Sequence, residues 1–120
     1  MTIRRIMPDV HVASQDALDS SKTFYGLLGF EQAMDMGWVV TLASPANPTA
    51  QISFFTEERT APVVPDLSVE VEDVDAVYAR VRASGAEIVR EIGDEEWGVR
   101  RFFVRDPNGR VVNVLTHHSR

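Results

Sequence analysis

Apolar and polar positions along this chain follow two spacings, a strand period of two and a helix period near 3.6, and both recur in the same order in each half. Residues 6–12 read as a strand that starts after Arg5. Ser14 or Asp16 is placed to cap a helix over residues 18–28, where Phe24, Leu27 and Leu28 form an apolar stripe with Leu18 further back. Gly29 stands where a helix ends in a left-handed cap. Three strands follow at 30–34, 38–43 and 50–55, parted by Gly37 and by the turn-rich run Ser44-Pro45-Ala46-Asn47-Pro48.

The second half repeats this order. A strand over 66–71 leads to a helix over 74–83 with Val74, Val77, Tyr78 and Val81 on one face, and Gly85 ends it. Strands at 87–92, 99–105 and 110–116 come next. The turn Asp106-Pro107-Asn108-Gly109 joins the last two, since Asn-Gly is a strong hairpin signal. Short stretches of the halves also align: Pro8-Asp9-Val10-His11-Val12 with Pro65-Asp66-Leu67-Ser68-Val69, and Ser44-Pro45 with Asp106-Pro107, which sets Gln51 on Asn113. The pattern is βαβββ written twice, an α+β fold in a single domain over residues 1–120. Module one spans about 1–55 and module two about 66–120, and residues 56–65 form a linker with two prolines and no periodicity.

Composition narrows the function classes. A chain of 120 residues suits one domain, so a concave site must share apolar surface with the core or be completed by a second subunit. The net charge of −6 and pI near 4.9 lack the basic footprint that nucleic acid requires. Arg100, Arg101 and Arg105 are the local exception, and they read as a solvated strand face. Without cysteine there is no disulfide, thiolate nucleophile or thiolate metal site. The first residues lack an apolar signal core and no stretch suits a membrane span, so a cytoplasmic protein is expected. There is no serine elbow and no phosphate-binding glycine loop.

Three blocks carry a family resemblance. Phe24-Tyr25-Gly26-Leu27-Leu28-Gly29-Phe30 resembles the end of the first helix in the glyoxalase/bleomycin resistance/dioxygenase (vicinal oxygen chelate) superfamily. Val69-Glu70-Val71-Glu72-Asp73-Val74-Asp75-Ala76 looks like its second-half signature. The run from Trp97-Gly98 through Asp106-Pro107-Asn108-Gly109 is similar to its closing hairpin. The resemblance covers essentially the whole chain. It implies two tandem modules forming an open cup-shaped mixed sheet with the helices outside, a small-molecule ligand inside the cup, and a homodimer at this length.

The resemblance also says where a divalent ion sits in metal-dependent members: on His and Glu side chains of the first and last strands of each module. Here the corresponding positions are Asp9, Gln51, Asp66 and Asn113, with His11 on the same strand face as Asp9. Two carboxylates and two amides suit only a hard ion, held weakly. His117 and His118 are adjacent, point to opposite faces and make poor joint ligands. The expectation is therefore no cofactor, with a weakly bound divalent metal as the alternative. Glu70 shares strand parity with Asp66 and is a candidate proton acceptor or a salt-bridged carboxylate. Gln51 facing inward takes Ser53 and Phe55 with it and sends Ile52 and Phe54 to the core.

The ligand-binding set expected from sequence is Asp9, His11, Gln51, Phe55, Asp66, Glu70, Trp97 and Asn113. Three functions stay open. The first is a metal-free protein that sequesters or senses a small organic molecule, cationic or aromatic. The second is a metal-dependent lyase, isomerase or dioxygenase acting on vicinal oxygens. The third is a non-catalytic interaction domain.

Overall fold

The structure is a computed structural model and describes residues 2–118; the outermost residues of the two expected modules, 1, 119 and 120, lie outside the described residues. It is α+β, with eight strands and two helices. In order along the chain these are β1 (Ile3–His11), α1 (Gln15–Leu27), β2 (Glu31–Asp35), β3 (Val39–Ala43), β4 (Gln51–Phe55), β5 (Leu67–Val71), α2 (Val74–Ala83), β6 (Ile88–Asp94), β7 (Val99–Arg105) and β8 (Val111–His117). The linker over 56–65 carries no helix or strand.

Two compact units emerge. One comprises residues 7–64, the other residues 2–6 with 65–118 of those described. β1 is thus divided: it begins at Ile3, earlier than residue 6, and its start groups with the second half's strands. Within the first unit the strand order is β2-β3-β4-β1, antiparallel at both hairpins and parallel between β4 and β1. The second unit repeats it as β6-β7-β8-β5, again with two antiparallel pairs and one parallel pair. The twofold sequence pattern is therefore a twofold structural one.

In each unit the helix covers one face of the sheet. Ser14 caps α1, its hydroxyl oxygen accepting from Ala17 N at 3.1 Å, and Asp73 caps α2 in the same way through Ala76 N. Gly29, at φ 109°, and Gly109, at φ 85°, take the left-handed conformations that side chains avoid. The α1 core holds Leu18, Val40, Leu42, Ile52 and Phe54, with Val10, Val12, Tyr25 and Phe30 against it. The α2 core holds Val71, Val74, Phe102 and Val114, flanked by Val77, Tyr78 and Val81.

The face of α2 is the one its spacing predicts, whereas that of α1 is not. Leu18 is fully buried, while Phe24, Leu27 and Leu28 are exposed at 57%, 81% and 64%. At about 100° per residue, Tyr25 falls nearly in line with Leu18 and Leu27 falls opposite. The core line of α1 therefore runs through Leu18 and Tyr25, whose ring lies 5.2 Å from that of Phe54. At the surface of the second unit, Arg100 on β7 pairs with Asp75 on α2, and that hydrogen bond holds the Asp75 carboxyl below its ordinary value.

Leu18→Ala is expected to destabilise the protein by about 2–5 kcal/mol, as a large-to-small change at a fully buried site. Leu27→Ala is expected to stay within about 0.5 kcal/mol. Chemical unfolding of the two variants checks both, and equal losses would show that α1 is rotated from the position described.

Candidate functional site

The sheet face turned away from each helix is where polar groups gather, and strand alternation decides which residues reach it. In the unit of residues 7–64, Ile52 and Phe54 go to the helix side, so Gln51, Ser53 and Phe55 go to the other. Asp9 on β1 is level with Ser53 on β4, and Ser53 with Thr41 on β3. All three are buried, at 7%, 1% and 6% exposure. Thr41 Oγ1 and Ser53 Oγ share a hydrogen bond of 2.6 Å, and Ser53 also lies 3.2 Å from Met7 Sδ. The ring of Trp38 sits 6.0 Å from that of Phe55, both buried.

Three further residues anticipated from sequence occupy distinct surroundings in this unit. Asp9 lies well inside the strand, not at a solvent rim, because β1 begins at Ile3. His11 is exposed, with Nε2 at 3.3 Å from the Thr56 carbonyl. Gln51 donates from Nε2 to the Pro48 carbonyl at 2.7 Å, which ties it to the β3–β4 turn.

The helix-free face of the second unit carries stronger charges. Asp66 is exposed at the end of the β5–β8 ladder, where Oδ2 accepts from Val111 N at 2.8 Å. Asn113 is level with Ser68, two residues beyond Asp66 on β5. Its Nδ2 donates to Ser68 Oγ at 3.0 Å, while its buried Oδ1 has no hydrogen-bond partner among the described residues. Such an oxygen left dry costs about 1–3 kcal/mol, so this amide is poised for a donor.

Glu70, fully buried, accepts from Arg5 Nε at 2.7 Å and contacts His117 Nδ1 at 3.1 Å. Of the two readings that sequence left open for it, proton acceptor or salt-bridged carboxylate, the ion pair with Arg5 is present. Glu95 is also buried and ion-paired, to Arg90 and to Arg101. The Arg101 guanidinium lies 5.2 Å from the Trp97 ring centre and 4.8 Å from that of Phe103.

Arg101 corrects the expectation of a solvated arginine face. Adjacent strand residues point oppositely, so Arg100 reaches Asp75 and Asp94 at the surface while Arg101 turns inward and is only 3% exposed. Arg5, Thr41, Ser53, Glu95, Arg101 and His117 lie outside the ligand-binding set expected from sequence, although Ser53, Arg101 and His117 were weighed there in other roles. The signal for His117 was present in its strand parity with Asn113. That for Arg5 was hidden by placing the start of β1 too late.

These faces belong to a chain whose residues 10–114 match the model of the glyoxalase/bleomycin resistance protein/dioxygenase superfamily. The chain belongs to that superfamily. Among solved structures, a superfamily member from Vibrio splendidus 12B01 is 20% identical with a TM-score of 0.66, covering 96% of this chain and 99% of its own. Methylmalonyl-CoA epimerase from Mycobacterium tuberculosis is likewise 20% identical, with a TM-score of 0.64 over 96% of this chain and 87% of its own. A structure named NAD-dependent benzaldehyde dehydrogenase, from Legionella pneumophila, reaches a TM-score of 0.70 at 14% identity, over 93% and 98% of the two chains. At such identities, and with such different names, the likeness is one of fold. No curated protein matches the chain.

The positions that carry metal ligands in metal-dependent members hold two carboxylates, Asp9 and Asp66, and two amides, Gln51 and Asn113, a set suited only to a hard ion held weakly. The Gln51 Nε2 is turned to Pro48 and the Asn113 Nδ2 to Ser68, and Asp66 is engaged at a strand end one level away from Asn113 on its face. Among the described residues no three His, Cys, Asp or Glu side chains gather into a metal-holding group.

Removing Glu70 takes from the part-buried Arg5 a fully buried carboxylate partner. Glu70→Ala is therefore expected to cost about 3–5 kcal/mol in chemical unfolding, and Arg5→Met with Glu70→Leu to recover much of it. A double variant as unstable as Glu70→Ala would show that the pair does not stand or fall together.

Proposed function

We propose that the protein binds a small organic molecule on the helix-free sheet face of its second unit without a resident metal. One observation carries this reading: Asn113, at the position of the second-module metal ligand in metal-dependent relatives, presents a buried oxygen that lacks a donor. A neutral amide oxygen is a weak metal ligand but a good acceptor for an N–H or O–H group. On the same face Phe103 is level with Asn113, and with Trp97 and the Arg101 guanidinium it supplies flat surface of the kind that takes planar molecules.

The charges refine the ligand class. Both buried glutamates on the second unit's face already have arginine partners, so they offer little to a cation. A planar molecule that is neutral or weakly acidic, with one hydrogen-bond donor, suits this face better than a cationic drug. Among the described residues no helix is long and apolar enough to cross a membrane. A cytoplasmic protein that works as a homodimer completes the reading, with the exposed Phe24, Leu27 and Leu28 as the surface that favours association.

The deciding experiment follows thermal unfolding of metal-stripped protein with Mg, Mn, Fe(II), Ni or Zn, then with a library of phenols and aromatic amides. An ion at about a thousand times its dissociation constant adds roughly 4 kcal/mol, which is several degrees for a chain of this size. No rise with any ion is expected, together with a rise for some phenols or amides. Asn113→Leu is expected to weaken those compounds about five- to tenfold, the worth of one hydrogen bond. A large rise with a single ion, lost in Asp66→Ala, would overturn the metal-free reading.

The assembly is tested by light scattering. A dimer mass is expected, falling to a monomer in Phe24→Ser with Leu27→Ser. A monomer mass for the unaltered chain would remove the dimer from the reading.

A further inference from the structure

Three strands of the second unit meet at the Glu70 carboxylate. Glu70 on β5 has no contact with solvent, and it takes Arg5 Nε from β1 on Oε1 and faces His117 Nδ1 of β8 with Oε2. A guanidinium has donors only, so Arg5 holds Glu70 as an acceptor. A carboxylate facing Nδ1 makes that nitrogen the protonated one and leaves the lone pair on Nε2. The His117 side chain is 27% exposed while Glu70 is sealed, so the part of the ring that reaches solvent lies away from the Nδ1 edge.

The other two histidines differ. His11 meets a backbone carbonyl through Nε2, and His118 contacts Asp94 through Nε2. Among the described residues, only at His117 does a carboxylate take Nδ1.

We propose that His117 is a proton-transfer group of this face, with Glu70 as its positioning residue. Its Nε2 accepts a proton from a bound molecule with an acidic O–H or C–H. In that step the X–H bond breaks, an N–H bond forms at Nε2, and the electron pair stays on the molecule. The imidazolium that results is stabilised by its charge-assisted hydrogen bond to Glu70. The proton then returns to the molecule or passes to water, so no oxidant or reductant is needed. This goes beyond binding, though it rests on the reading that the face takes a small molecule.

The tautomer that this geometry sets on His117, and the reactivity of its Nε2, are both measurable without any ligand. In a long-range proton–nitrogen spectrum of the full chain, recorded where the imidazole signals no longer change with rising pH, His117 is expected as the Nδ1–H tautomer. His117→Gln assigns the signals. Diethyl pyrocarbonate, followed by peptide mapping, is expected to modify His117 several-fold faster than His118, although His118 is the more exposed at 49%.

In Glu70→Gln a single oxygen remains, and Arg5 claims it because it cannot accept. The amide NH₂ is then left to face Nδ1, so the tautomer is expected to switch to Nε2–H and the rate to fall to that of His118 or below. A wild-type Nε2–H tautomer, a wild-type rate no higher than that of His118, or a folded Glu70→Gln with an unchanged rate would each overturn the proposal. The wild-type measurements decide even where Glu70→Gln does not fold. Because no ligand enters them, they stand apart from the outcome of the phenol and amide screen.

Discussion

Each half of the chain pairs its first strand with its last in parallel, and a helix makes the crossing at the start of the module. Parallel neighbours cannot be joined by a tight turn, so the connection must pass over one face of the sheet. That face becomes the apolar one, filled from α1 by Leu18 and from α2 by Val74. The other face is left with no secondary structure of its own module to cover it. Every residue of functional interest here is a consequence of that asymmetry, since the pleat sends alternate side chains to a surface that the helix does not need.

What those faces carry is costly to bury. Glu70, Glu95 and Arg101 are all nearly or fully out of contact with solvent, and an isolated charge in such a place would be strongly disfavoured. Each is instead matched: Glu70 by Arg5, Glu95 by Arg90 and Arg101, and Arg101 also by two aromatic rings. Apolar residues in the same positions would give comparable or greater stability. Retaining ion pairs there fits a surface that has work to do, and it lends weight to the idea that the Glu70–His117 contact is more than a tie between strands.

Much of the fold was legible because it depends on local signals. The βαβββ repeat, the Ser14 cap, Gly29 and the Asn108-Gly109 turn follow from spacing and backbone preference alone. The face of α2 was legible too, since Val74, Val77, Tyr78 and Val81 complete a full helical pattern. α1 misled because Phe24, Leu27 and Leu28 cluster near its end and outnumber the Leu18–Tyr25 line that packs inward. Site residues were harder for a related reason. Parity along a strand tells which residues share a face, but not at what level they meet their neighbours. Asp66 and Asn113 lie on one face yet differ in level, because the β5–β8 register sets Asn113 against Ser68. Register is a tertiary property, and no single segment contains it.

The acidity of the chain points to a cationic ligand only so long as its carboxylates are taken together. The net charge of −6 counts every acid equally, whereas a bound molecule meets only those beside it. Asp19, Asp35, Glu57 and Glu58 lie in the other unit, off its Asp9–Ser53–Thr41 row. On the second unit's helix-free face, Arg5, Arg90 and Arg101 stand beside Glu70 and Glu95, and His117 adds an imidazole that a proton would make cationic. A cation placed there would have to displace an arginine from a buried carboxylate. A neutral or weakly acidic molecule displaces nothing and can satisfy Asn113. The local balance of charge therefore opposes the selectivity that the composition suggests.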